Sequence, residues 1–281
     1  MDRKYALWGE KLGHTLSPPI HQRLFELRGR QAEYGLIEVS PDALKDSASR
    51  LKELAGCNVT IPHKQTIIAF MDKLDASAQR YGAVNCVDNK QGTLTGYNTD
   101  CDGFLRSIKS SGGRLDANTL LLGAGGVGRM MAIETCLAGG KLTMAVLESF
   151  VPQTEKVKED ILALVPDASV RIVTFDSIPD ENFDTMINAT PVGMYPKCDA
   201  CVVSDDVIAK ADFVFDAIYN PKETLLIQKA KALGKTAVGG MAMLVWQAVS
   251  AHEIWDGDSY TDDEVQAIIN EMYEKVERDF K

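Results

Sequence analysis

Apolar runs of strand length recur along the chain, and the spacing between them changes at Thr119. In the first stretch, Tyr5-Ala6-Leu7-Trp8-Gly9 predicts a strand ending on glycine, followed by a loop over 10–16. A helix then opens with Ser17 as N-cap and Pro18 at the first helical position. A strand over 32–39, a helix over 41–54 and a strand over 57–61 follow. Residues 83–88 and 93–97 read as a hairpin joined by the turn-rich Asn89-Lys90-Gln91-Gly92. From Thr119 the repeat becomes strand, glycine turn, helix. Leu120-Leu121-Leu122 is apolar throughout, as suits a parallel strand covered on both faces. Helix 129–138, strand 142–147, helix 152–164, strands 170–173, 185–188 and 213–216, and helix 222–233 continue the alternation. The pattern predicts an α/β chain whose second part is a doubly wound parallel sheet. Two helices close it, 241–254 and 262–280, the latter opened by a capping box of Thr261 and Glu264.

One run breaks the apolar rule. In Asn58-Val59-Thr60-Ile61 the side chains alternate, so Asn58 and Thr60 share a face while Val59 and Ile61 pack behind it. Pro62 cannot extend the ladder, so Lys64 is delivered at a strand end, at the start of a helix expected over 63–74. Thr15 and Ser17 place two hydroxyls at the positive end of the first helix, where they cap it and also suit a carboxylate. Asp100 and Asp102 stand where a helix begins, a capping position for either acid.

Composition narrows the function classes. Of 281 residues, 45% are hydrophobic and 25% charged, an ordinary globular balance that excludes disordered and fibrous classes. A net charge of -10 with no basic run argues against a nucleic-acid partner. No stretch reaches the roughly 18 apolar residues of a membrane span, and 1–9 has no signal-peptide core, so a cytoplasmic chain is expected. The six cysteines lack a framework spacing and read as free thiols; Cys198-Asp199-Ala200-Cys201 stands without a second pair. His14, His21 and His63 lack ligand spacing, and no metal is expected.

Gly123-Ala124-Gly125-Gly126-Val127-Gly128 follows a strand and opens a helix, the context a dinucleotide fingerprint requires. Its glycines allow a tight turn and close approach of backbone to a pyrophosphate. Glu148 ends the next strand, about 20 residues on, where an acid binds the ribose hydroxyls and repels a ribose phosphate. NAD is therefore favoured, with NADP possible.

With these pieces placed, the chain resembles the shikimate dehydrogenase family along nearly its whole length. The resemblance rests on His14-Thr15-Leu16-Ser17-Pro18 with His21, Asn58 through Lys64, Gly82-Ala83-Val84-Asn85, and Gly96-Tyr97-Asn98-Thr99-Asp100 with Gly103-Phe104. Asn188-Ala189-Thr190 through Gly193-Met194, and Met243-Leu244-Val245 with Gln247, complete it. It implies reversible reduction of 3-dehydroshikimate to shikimate with a nicotinamide cofactor. It also implies a substrate domain with a mixed sheet (1–103), a Rossmann-type domain (104–240) and C-terminal helices (241–281) returning to the first domain. By position, Lys64 and Asp100 resemble the catalytic pair, and Thr15 and Ser17 the carboxylate-binding hydroxyls. Asn58, Thr60, Asn85, Asp100 and Gln247 would hold ring hydroxyls, and Tyr219 would face the carboxylate. Thr190, Gly240 and Met243 join the glycine loop on the cofactor side. Three features depart from the family pattern: Thr15 for serine, Glu148 for Asn-Arg-Thr, and Gly240-Met241-Ala242-Met243-Leu244 followed by bulky Trp246. The first two resemble members that use NAD and accept quinate, so a quinate or dual dehydrogenase is the alternative within the family. A non-catalytic dinucleotide-binding paralogue is the alternative outside it. A monomer or homodimer is expected.

Overall fold

The structure is a computed structural model and describes residues 3–13 and 15–279, so His14 of the first motif lies outside the described residues. Two compact units form. One holds the chain to Gly103 together with Val245–Met272, and the other holds Phe104–Leu244 with the chain from Tyr273.

The first unit contains β1 (Arg3–Gly9), α1 (Ser17–Leu27), β2 (Ala32–Glu38), α2 (Leu44–Ser47), β3 (Gly56–Val59), β4 (Lys73–Leu74), α3 (Ala76–Tyr81), β5 (Cys86–Lys90) and β6 (Thr93–Tyr97). Its mixed sheet runs β2-β1-β3-β5-β6-β4, with β5 antiparallel to both β3 and β6. β1 lies inside the sheet between β2 and β3, and residues Tyr5 through Gly9 are all buried because both faces are covered. Trp8 faces a cluster with Val39, Leu51, Val59 and Ile67, while Tyr5, of opposite parity, packs with Phe25, Cys86 and Trp255.

α4 (Asp100–Ser110) begins in the first unit. The second continues with β7 (Asn118–Leu122), α5 (Gly126–Leu137), β8 (Lys141–Val146), α6 (Val151–Leu164), β9 (Val170–Thr174) and β10 (Phe183–Asn188). Then come α7 (Asp205–Ala209), β11 (Ala211–Asp216), α8 (Leu225–Ala232) and β12 (Thr236–Gly239), while α9 (Met241–Asp256) and α10 (Asp262–Asp279) belong for most of their length to the first unit. The sheet is wholly parallel, ordered β12-β11-β10-β7-β8-β9, so the strand order reverses between β7 and β10. The doubly wound expectation holds.

Three elements differ from expectation. The helix expected over 63–74 is a 3-10 turn, Thr66–Phe70, followed by β4, since Thr66, Ile67 and Ile68 in succession lose side-chain freedom in an α-helix. The helix expected over 41–54 is α2 between two 3-10 segments, Pro41–Ala43 and Ala48–Glu53. The hairpin turn tightens to Gln91 and Gly92, both with positive φ, and the Asn89 carboxamide oxygen accepts from the Gly92 amide.

Gly56 fixes where α9 packs in the first unit. A Cβ there would stand 2.4 Å from Trp255 Nε1, the atom that donates to the Val87 carbonyl at 2.9 Å. Gly56→Ala should destabilise the protein by about 2–4 kcal/mol through overpacking and loss of that bond. Urea unfolding reads it, and a loss below about 0.5 kcal/mol would refute the close packing.

Candidate active site

Lys64 is placed by its backbone before its side chain acts. The neighbouring His63 ring is buried with Nε2 2.6 Å from the Val39 carbonyl, and the Lys64 carbonyl accepts from Val84 N at 2.7 Å. Lys64 Nζ then lies 2.6 Å from Asp100 Oδ2, both side chains being partly exposed. The other Asp100 oxygen accepts from Asn85 Nδ2 at 2.9 Å. Asn85 is itself fixed, because its oxygen accepts from Thr99 N at 2.6 Å and its amide also donates to Thr99 Oγ1 at 3.0 Å. Asn85 therefore holds Asp100 in this structure. The two carboxylate oxygens of Asp100 thus face Lys64 and Asn85.

Thr15 and Ser17 come together at the start of α1, where Thr15 Oγ1 lies 3.2 Å from Ser17 Oγ and accepts from Ser17 N at 3.1 Å. Asn58 is buried on β3, and its Oδ1 accepts from the Tyr34 hydroxyl at 2.8 Å. Thr60 follows the strand end, its amide bonded to the Trp8 carbonyl at 2.8 Å, and Gln247 is buried on α9. All of these belong to the first unit. Tyr34 was not singled out from sequence. It stacks on His21 at 4.1 Å, and burial pushes its phenol well above the usual range. The only signal was a tyrosine on a strand, whose hydroxyl needs a polar partner when covered.

In the second unit the glycine loop lies at the C-terminal end of β7. Gly123 has φ +87°, and a Cβ on Gly128 would meet the Gly123 carbonyl at 2.3 Å, so the loop needs both glycines. Gly125, the N-cap of α5, supplies no side-chain cap, which leaves the first amides of a 12-residue helix available to an anion. Those features fit a dinucleotide pyrophosphate. Glu148 follows β8 and is exposed, with Leu147 and Phe150 exposed on either side. Thr190 follows β10, with Oγ1 2.7 Å from Asn188 Oδ1, and its Cγ2 would be 2.8 Å from a Cβ on Gly123. Burial raises the Tyr219 phenol above its ordinary range. Gly240 has no room for a Cβ, which would meet the Ala217 carbonyl at 2.1 Å, and Met243 is buried.

Burial pushes the Cys57 thiol up to about 12, and raises the Cys86 and Cys136 thiols as well, which makes them unreactive packing. His252, Asp256 and Asp258 bring possible metal-ligand atoms within 4.8 Å of one another. Arg3 pairs with Asp256 and Arg30 with Asp258, so the chain's own cations occupy that cluster.

Residues 7–87 match the model of the shikimate dehydrogenase substrate binding domain. The shikimate dehydrogenase (NADP(+)) of Caldanaerobacter subterraneus subsp. tengcongensis is 34% identical, covering 97% of this chain and 95% of its own. The chain belongs to the shikimate dehydrogenase family. Among solved structures, a chorismate mutase/shikimate 5-dehydrogenase fusion protein from Clostridium acetobutylicum superposes with a TM-score of 0.88 at 31% identity, covering 99% of both chains. Shikimate 5-dehydrogenase from Listeria monocytogenes, solved with shikimate and NAD, gives a TM-score of 0.86 at 29% identity over 95% of this chain and 96% of that one. No helix among the described residues is long and apolar enough to cross a membrane.

Asp216, at the end of β11, is buried, and desolvation pushes its carboxyl up to about 6 from an ordinary 3.8. The folded protein thus keeps a proton there at a pH where the unfolded chain has released it. The resulting stabilisation is present at low pH and is lost as pH rises from about 4 through about 6. Asp216→Asn cannot ionise and should gain stability relative to the parent over that interval, by about 2–3 kcal/mol at roughly 1.4 kcal/mol per pH unit. Urea unfolding between pH 4.5 and 7.5 measures this; a difference that does not change with pH would contradict the buried carboxylate.

Proposed function

We propose that this chain reversibly interconverts 3-dehydroshikimate and shikimate with a nicotinamide cofactor. The observation that carries the reading is the Lys64–Asp100 pair at 2.6 Å, locked by Asn85 and held in one unit with the hydroxyl pair of Thr15 and Ser17. A hydroxy acid of this kind needs a carboxylate anchor, several fixed donors and acceptors, and one group that moves a proton. Thr15 and Ser17 supply the anchor, and the family resemblance assigns Tyr219 a role toward the substrate carboxylate. Asn58, Thr60 and Gln247 take ring hydroxyls. The cofactor, when bound, supplies or accepts the hydride.

In the reducing direction Lys64 gives its proton to the carbonyl oxygen as that oxygen gains charge. In the oxidising direction neutral Lys64 takes the proton from the hydroxyl. Asp100 holds Nζ at the reacting oxygen. Lys64→Ala should lower turnover by about 10²–10⁴-fold, the usual range for a general acid or base, with a smaller change in KM. The assay is reduced-cofactor absorbance with shikimate across the pH range. Near-normal turnover in the alanine variant would remove Lys64 from the chemistry, and a parent protein inactive on shikimate would remove the reaction. Quinate belongs in the same assay because the Thr15 methyl alters the carboxylate end.

The glycine loop, Glu148, Thr190, Gly240 and Met243 are the proposed cofactor contacts. NADP(+) in the relative's name weighs against a preference for NAD, while the Listeria structure holds NAD. What supports NAD here is Glu148 itself, a carboxylate able to bond a ribose diol and repel a phosphate. A preference for NAD of about 10- to 100-fold in kcat/KM is expected, limited by screening at an exposed rim. Glu148→Ala should abolish it. Equal use of both cofactors by the parent, or indifference to the Glu148 change, would return this chain to the NADP reading.

A further inference from the structure

Asp216 is the last residue of β11 and completely buried, and its partners are all neutral donors. Oδ1 accepts from Asn188 Nδ2 and from the Ile218 amide, each at 3.0 Å, and Oδ2 accepts from Thr224 Oγ1 at 2.6 Å. Among the described residues no positive side chain pairs with it. A buried anion in this setting is unfavourable for stability, so an ordinary fold would place an apolar residue at such a position. Here an apolar residue would strand three buried donors.

Those three donors sit on three separate stretches of chain. Asn188 ends β10, and its Oδ1 accepts from both the amide and the hydroxyl of Thr190, at 3.0 and 2.7 Å. Ile218 immediately precedes Tyr219, and its carbonyl accepts from Gly240 N at 2.9 Å. Thr224 caps α8, accepting from Ile227 N at 3.3 Å. The backbone adds a cross-tie, Ala217 N to the Asn188 carbonyl at 2.9 Å. One carboxylate thus joins the loops that carry Thr190, Tyr219 and Gly240.

We infer that Asp216 is a positioning residue that fixes Thr190 on the cofactor side and Tyr219 on the substrate side together, through Asn188 and Ile218. The inference deepens the proposed dehydrogenase function and rests on it for the substrate arm alone. Its acceptor capacity explains why a carboxylate stands where neutrality would be more stable, since Oδ1 takes two donors while Oδ2 takes a third. A carboxamide turns an NH2 toward Thr224 and must reverse that bond.

The test uses Asp216→Asn in the full chain, alone and combined with Thr190→Val or Tyr219→Phe. Reduced dinucleotide binding is read by nicotinamide fluorescence without substrate, and the shikimate KM and kcat by steady-state kinetics. Asp216→Asn is expected to weaken dinucleotide binding about 3- to 10-fold and to raise the shikimate KM about 5- to 30-fold, with kcat changed less than KM. A residue acting through Thr190 and Tyr219 shows smaller effects once they are altered, so each double variant should lose less than the product of its singles. Constants within twofold of the parent, or fully multiplicative doubles, would overturn the assignment. If Asp216→Asn does not fold, Thr224→Val removes the shortest bond and keeps the charge. It should then shift both constants in the same direction by a smaller factor, and no shift would equally overturn the role. A parent that turns over neither shikimate nor quinate counts against the reaction, while the dinucleotide titration still decides Asp216.

Discussion

A lysine and a carboxylate 2.6 Å apart on a partly exposed surface are normally worth little, because ordering two side chains offsets most of the attraction in water. The first unit removes that ordering cost in advance. Lys64 is tied at its carbonyl to Val84, and His63 beside it is tied to the Val39 carbonyl. Asp100 is oriented by Asn85, which Thr99 fixes in turn. Every one of these bonds lies in the segments that flank β2, β3, β5 and β6. The mixed sheet therefore matters to the site chiefly as a frame that brings the ends of β3, β5 and β6 into register.

The same unit depends on a chain of neutral rings that links α1, which carries Ser17, to α9, which carries Gln247. The Tyr260 hydroxyl donates to the Leu24 carbonyl at 3.1 Å, so it must accept from His252 Nδ1 at 3.2 Å. His252 Nε2 then accepts from His21 Nδ1 at 3.1 Å, leaving His21 Nε2 a buried lone pair without a partner among the described residues. Burial holds His252 down to about 3 and His21 well below its usual range, so both rings stay neutral. Neutrality keeps the bond between the helices one-directional, and the Tyr34 ring stacked on His21 carries the order on to Asn58. The two helices that carry Ser17 and Gln247 are thereby fixed to one another.

Period and punctuation carried most of the fold. The apolar run at Leu120-Leu121-Leu122, the glycine turn after it and the repeated strand-helix spacing were enough for the parallel sheet. The short elements were not legible. α3, β4, α7 and β12 span two to six residues each, below the length at which a 3.6 or 2.0 period can be told apart. Helices expected over 41–54 and 63–74 failed where tertiary packing and β-branched residues favoured 3-10 geometry. Within the candidate site, Lys64 and Asp100 were visible as a pair only through motif resemblance, since 36 residues separate them. Tyr34 and Thr99 were invisible as contributors because their partners Asn58 and Asn85 lie 24 and 14 residues away, which no local spacing reveals.

The two acids that organise these units show opposite solutions to one problem. Asp100 has a cation beside it and stays partly in water, so its charge is balanced and its geometry comes from Asn85. Among the described residues Asp216 has no cation beside it and no water-facing surface; three dipoles offset its charge incompletely, and its proton affinity rises as a result. A group beside a reacting oxygen must change charge partners during proton transfer, which favours a solvated, paired arrangement. A group that only holds loops has no such requirement. It gains from burial, because hydrogen bonds to an ion in a low-dielectric interior are stronger and more directional than those to a neutral acceptor. The differing burial of the two carboxylates fits the different roles proposed for them.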